Sequence, residues 1–236
     1  LYLDQQHNLW AGLSRGIAFI ELNSPFSVID GSSGLDGSTY CTEVYQNFFG
    51  VGTSQGIFYK KWQAYENPLT DSIRFKTIPD FLSQIWKFKV AKNHLLAGFN
   101  PGIISLEGLA TNQVKLKKIN LVNYNIWTIA ALPHTSELLL TGGLQGLAIL
   151  EWKDKQWQFK HRIKGFSKNS RYISIDQSNQ VWVTDDSQGA YKITLNAQLD
   201  SVMSVKLYNQ AKGFPSNSLN RLFNINGKNL FATENG

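Results

Sequence analysis

Apolar residues along this chain gather in short bursts between turns, and no window keeps the 3.6-residue spacing of an amphipathic helix beyond one turn. Mid-chain, the bursts predict strands over 85–90, 94–98, 102–106 and 114–119, then over 126–130, 137–141, 147–152 and 157–163. Residues 85–90 alternate in character, and Lys115 and Lys117 mark the wet face of their strand. A phrase recurs through these bursts: an apolar strand, a tight turn, then glycine and another strand. It reads Leu9-Trp10-Ala11-Gly12-Leu13-Ser14-Arg15-Gly16-Ile17 at the start and Leu139-Leu140-Thr141-Gly142-Gly143-Leu144-Gln145-Gly146-Leu147 further on. The closing glycines Gly16, Gly56, Gly102, Gly146, Gly189 and Gly236 stand 40, 46, 44, 43 and 47 residues apart. In four of the six phrases a second glycine stands four residues earlier, and Asp185 and Ala232 take that place in the others.

Four antiparallel strands per unit at this period make the blade of a β-propeller. The expected fold is therefore all-β, a propeller of four-stranded antiparallel blades, with five complete blades plus half of a sixth. Blade repeats fall near 1–37, 38–82, 83–123, 124–168 and 169–216, with a partial one at 217–236. Strands at 1–4 and 230–233 bound the series, and an unclosed sheet leaves edges. Either 230–233 closes against an early blade or the segment is an arc of a larger ring, and the arc is the expectation. Gly16, Gly56, Gly102, Gly146 and Gly189 are expected to serve structure, at turns whose positive φ a Cβ would penalise. Trp10 and Trp182, both on second strands, are expected to wedge between blades.

Composition narrows the function classes. With 42% hydrophobic and 17% charged residues, the 236-residue chain can bury a core and is not a disordered one. A net charge of +6 raises the question of nucleic acid. The densest basic run, Lys115, Lys117 and Lys118, lies on the wet face of a strand, so no nucleic-acid contact is expected. No run approaches the roughly 18–20 apolar residues of a membrane span, so this segment is expected to make no membrane contact.

Catalytic signals are weak. His7, His94, His134 and His161 never pair at ligand-like spacing, and neither a G-x-S-x-G elbow nor a P-loop is present. Cys41, on an expected first strand, reads as a small buried apolar residue, and Asp185-Asp186 as turn formers. No catalytic residue, metal or cofactor is expected. The better candidates are positional. Loops entering each blade's first strand share a propeller face with the turns between second and third strands, where function is commonly grafted. These entry loops carry Tyr40, Trp86, Tyr124, Trp127, Arg171, Tyr172 and Asn220. Aromatic faces beside amides and a guanidinium suit a small polar ligand such as an oligosaccharide. A protein-interaction scaffold is the alternative reading, and a polysaccharide-active enzyme ranks below both.

The segment Asp4-Gln5-Gln6-His7-Asn8-Leu9-Trp10-Ala11-Gly12-Leu13-Ser14-Arg15-Gly16-Ile17 resembles the two-component regulator propeller repeat. Asp176-Gln177-Ser178-Asn179-Gln180-Val181-Trp182-Val183 repeats its opening with the same Asp-to-Trp spacing of six. Glu21-Leu22-Asn23-Ser24-Pro25-Phe26, Gly34-Leu35-Asp36-Gly37 and Gly213-Phe214-Pro215-Ser216-Asn217 are similar to the linkers between such repeats. Units three and four depart from the pattern, with Leu95-Leu96 and Leu138-Leu139 where it has Asp and Trp. The resemblance implies the periplasmic ligand-sensing region of a membrane-anchored Bacteroidetes regulator. Its expected neighbour is a triple-tyrosine domain, its expected output a histidine kinase or helix-turn-helix module, and the full-length protein is open to forming a homodimer.

Overall fold

The computed structural model describes residues 1–22, 29–62, 74–79, 81–109, 114–119, 124–176, 178, 180–185, 187–218 and 220–234. The chain is all-β and winds through successive antiparallel sheets, each a propeller blade or part of one. Blade 1 holds β1 (Tyr2–Leu3), β2 (Leu9–Gly12) and β3 (Ile17–Ile20). Blade 2 holds β4 (Thr39–Tyr45), β5 (Phe48–Thr53), β6 (Gly56–Lys61) and β7 (Lys76–Thr77). Blade 3 follows with β8 (Ile85–Ala91), β9 (His94–Phe99), β10 (Gly102–Glu107) and β11 (Lys115–Ile119). Blade 4 has β12 (Ile126–Leu132), β13 (Thr135–Gly143), β14 (Gly146–Lys153) and β15 (Gln156–Arg162). Blade 5 has β16 (Tyr172–Ile175), β17 (Gln180–Asp185), β18 (Gly189–Leu195) and β19 (Val202–Tyr208), and blade 6 the pair β20 (Arg221–Ile225) and β21 (Lys228–Ala232). The first strands β4, β8, β12, β16 and β20 lie side by side in chain order and wall a central channel. The linker residues 23–26 and the closing residues Asn235 and Gly236 lie outside the described residues.

The middle strands of blades 3 and 4 are apolar at consecutive positions because both of their faces are covered. On β9, Leu95 and Ala97 pack toward blade 2 while Leu96 packs toward blade 4. On β13, Leu139 faces blade 3 and Leu140 faces blade 5, and on β14 Ala148 and Leu150 alternate with Leu147 and Ile149 in the same way. Each such Leu or Ile contributes about 1.5–3 kcal/mol of burial. Hairpin turns at the other end of the blades use positive-φ pairs, Lys92-Asn93 (49° and 58°) and Asp154-Lys155 (52° and 59°). These match the right-handed twist of their strands.

Asp4 explains its six-residue spacing to Trp10. Its carboxylate accepts from the backbone N–H of Gln6 (2.9 Å) and Asn8 (2.8 Å) and from the Trp10 indole Nε1 (2.9 Å). The indole bond, followed by that from Asn8, holds its pKa below the ordinary 3.8. Asp176 closes the equivalent turn of blade 5 by accepting from Ser178 and Gln180. The linkers also share a device: Gly31–Ser33 and Gln210–Lys212 are single 3₁₀ turns ended by left-handed glycines, Gly34 and Gly213.

The two tryptophans separate. Trp182 does bridge blades, its ring 5.4 Å from Phe231 of blade 6 and 5.2 Å from Tyr208. Trp10 does not: it packs on Phe19 of its own sheet at 4.8 Å and stays 40% exposed. No described neighbour covers blade 1, whose Leu13, Ile17, Phe19 and Ile20 are exposed as well. At the far end Phe223, Ile225 and Leu230 of blade 6 are also exposed.

Candidate ligand site at the channel mouth

Three first strands break register at the same place. Thr39 pairs with Thr53 and Cys41 with Gly52, so Tyr40 is left over. Ile85 pairs with Phe99 and Lys87 with Gly98, leaving Trp86, and Ile126 pairs with Gly143 and Thr128 with Gly142, leaving Trp127. Each is a β-bulge, one extra residue that bends the strand and re-aims a side chain. In blade 5 the corresponding residue is Arg171, just before Tyr172, with its backbone N–H donating to Thr184 O at 3.1 Å.

The bulges gather their side chains into one arc. Tyr40 and Trp86 have ring centroids 4.5 Å apart, and Trp86 and Trp127 meet edge to face at 6.4 Å. The Arg171 guanidinium sits 4.3 Å from the Trp86 centroid and 5.4 Å from that of Trp127. Cation–π attraction holds it there. With Tyr172, these residues line a channel of about 820 Å³, within the range of small-molecule sites. Asn220 lines an adjoining cleft of about 600 Å³ that Arg171, Tyr172 and Arg221 share with the channel. Its Nδ2 donates to Ser216 O at 2.9 Å, while its buried Oδ1 has no partner among the described residues.

Tyr124 does not join them, which corrects its assignment as a ligand residue. Its ring is buried among Leu96, Ile126 and Ile129 between blades 3 and 4, its hydroxyl donates to Gly146 O, and Arg162 lies over it at 5.0 Å. Burial pushes the phenol above its ordinary range. Other channel residues were not among the expected ligand residues: Lys87, Lys89, Arg221 and Glu43. The available signal was the alternation within 85–90, since a propeller's first strand is its innermost and its polar alternates face the channel.

Buried polar atoms without a partner among the described residues are Trp86 Nε1, Thr184 Oγ1, Asn209 Oδ1 and Asn220 Oδ1. All belong to the entry-loop end of their blades. The five turn glycines have φ between 88° and 137°. A Cβ on Gly146 would stand 2.1 Å from Phe166 O in the linker to blade 5, which puts the turns between second and third strands on this same face. Asp185 caps its turn by accepting from the Ser187 N–H at 2.8 Å, and Asp186 lies outside the described residues.

Cys41 sits beside the first bulge, its Sγ donating weakly to Ile85 O at 3.8 Å. Burial pushes the thiol from 9.0 up to about 12. Folding therefore favours the protonated thiol. The associated stability is complete below pH 9 and drains away as pH climbs toward 12. Urea unfolding across this range is expected to show a loss of stability that Cys41→Ala reduces.

The chain is a β-propeller segment with an aromatic and cationic channel mouth. It superposes on two crystal structures of the extracellular domain of one Bacteroides thetaiotaomicron protein, described in one as a putative one-component and in the other as a putative hybrid two-component system. The TM-scores are 0.66 and 0.63 at 18% identity, over 98% of this chain and 34% of those chains. At this identity the likeness is one of fold, and the chain spans about a third of their length. No protein-family model and no curated protein matches the sequence. Among the described residues no helix is long and apolar enough to cross a membrane.

Proposed function

We propose that this chain is the ligand-sensing propeller of an extracytoplasmic, two-component-type signalling protein, and that it binds a carbohydrate or other polar small molecule at its channel mouth. The observation that carries this reading is the set of equivalent bulges that turns Tyr40, Trp86 and Trp127 toward one point beside Arg171. The shared fold with a regulator's extracellular domain supports the signalling half, as does the resemblance to two-component regulator propeller repeats. Exposed apolar faces on blades 1 and 6 fit an arc completed by further blades. A neighbouring triple-tyrosine domain is where the signal would pass. Binding moves it only if the ligand prefers one arrangement of the two domains over the other.

The test is a thermal-shift and tryptophan-fluorescence screen with oligosaccharides, followed by Trp86→Ala/Trp127→Ala. Aromatic anchors of this kind are worth about 2 kcal/mol or more each, so the double variant is expected to lose on the order of 1,000-fold in affinity with its circular dichroism unchanged. A folded double variant that keeps every ligand response would refute the site.

A further inference from the structure

The charge of the channel narrows the ligand class, an inference that rests on the site proposed above. Among the described residues, Arg171, Arg221, Lys87 and Lys89 line the channel against a single carboxylate, Glu43, on β4. The ion pairs seen among the described residues, Lys92–Glu137 and Lys160–Glu151, involve none of them. Glu234 enters the adjoining cleft, where its Oε2 accepts from Ser216 Oγ at 3.0 Å. Four cations lining one space give it a positive field that favours an anion.

Arg171 is suited to the task. Its guanidinium carbon lies over both indoles, 4.3 Å from the Trp86 centroid and 5.4 Å from that of Trp127, and its N–H groups make no side-chain hydrogen bond among the described residues. A planar fork of donors, already held in place by two indoles, matches a carboxylate or sulfate in two-point geometry. Arg221 lines both the channel and the cleft beside it. The exposed face of Tyr40, 39% accessible, leaves an aromatic surface across the arc for a sugar ring.

We infer that the ligand is an anionic sugar whose carboxylate or sulfate ester is taken between Arg171 and Arg221 while its ring packs on the aromatic arc. The probes are a uronic-acid oligosaccharide, its carboxyl-reduced neutral counterpart, a sulfated oligosaccharide and its desulfated counterpart, each titrated calorimetrically into the protein at low and high salt. At least one acidic probe is expected to bind at least tenfold more tightly than its neutral partner and to weaken with salt. The arm that responds identifies carboxylate or sulfate. Arg171→Gln is expected to remove that tenfold preference. Neutral partners that bind as well as acidic ones would overturn the charge inference and leave the channel-mouth site standing. Failure of both acidic probes to bind also overturns it. Acidic binding indifferent to both Arg171→Gln and Trp86→Ala/Trp127→Ala would sink the site itself.

Discussion

Gly143→Ala is expected to destabilise the chain by about 3 kcal/mol or more, whereas Gly12→Ala changes stability by less than about 0.5 kcal/mol. A Cβ on Gly143 would lie 1.5 Å from Asn125 O and 2.7 Å from its carbonyl carbon, a space already filled by backbone. Relief requires moving the chain that enters β12. That chain carries the bulge at Trp127, and Gly143 O also accepts from Ser170 N–H at 3.0 Å, next to Arg171. Half of the aromatic–guanidinium arc is therefore positioned against this one glycine. Gly12 has nothing within 4 Å of its would-be Cβ and serves as the control. Urea unfolding of both variants decides the matter: equal midpoints would contradict the close approach.

Leu140→Ala is the second large effect, with an expected cost of about 2–5 kcal/mol. Leu140 is fully buried in the cluster between blades 4 and 5, with Ile149, Val181 and Val183. Blades interact chiefly with their neighbours, as in other repeat architectures, so the damage should spread unevenly. Hydrogen exchange is expected to quicken most in β13, β14, β17 and β18. For Leu139→Ala, which opens the interface to blade 3 instead, it should quicken in β9 and β10. Identical exchange maps for the two variants would contradict the assignment of the two faces.

The period of the propeller was legible because its causes are local. Tight turns demand glycine at Gly56, Gly102, Gly146 and Gly189, and strands covered on both faces demand consecutive apolar residues such as Leu95 and Leu96. The channel-mouth residues were legible in part, since an entry loop leads into the innermost strand wherever the blade repeats. What the sequence hides is the bulge. By simple alternation Trp86 shares a face with Phe88, and Trp127 with Ile129, yet Phe88 and Ile129 are buried in the core while both indoles stand in the channel. One unpaired residue reverses the parity of everything before it, and no residue type announces it. Tyr124 was misplaced for a related reason: loop residues follow no alternation, and this one turns back between the blades.

The bulges have another consequence. The innermost strand of every blade has an unpaired edge, and such an edge is a template on which a foreign extended peptide can zip itself, residue by residue. At Tyr40, Trp86 and Trp127 a bulge breaks the regular spacing of donors and acceptors along the strand. The same three bulges that aim the rings therefore also make the free inner edge a poorer template for a foreign strand.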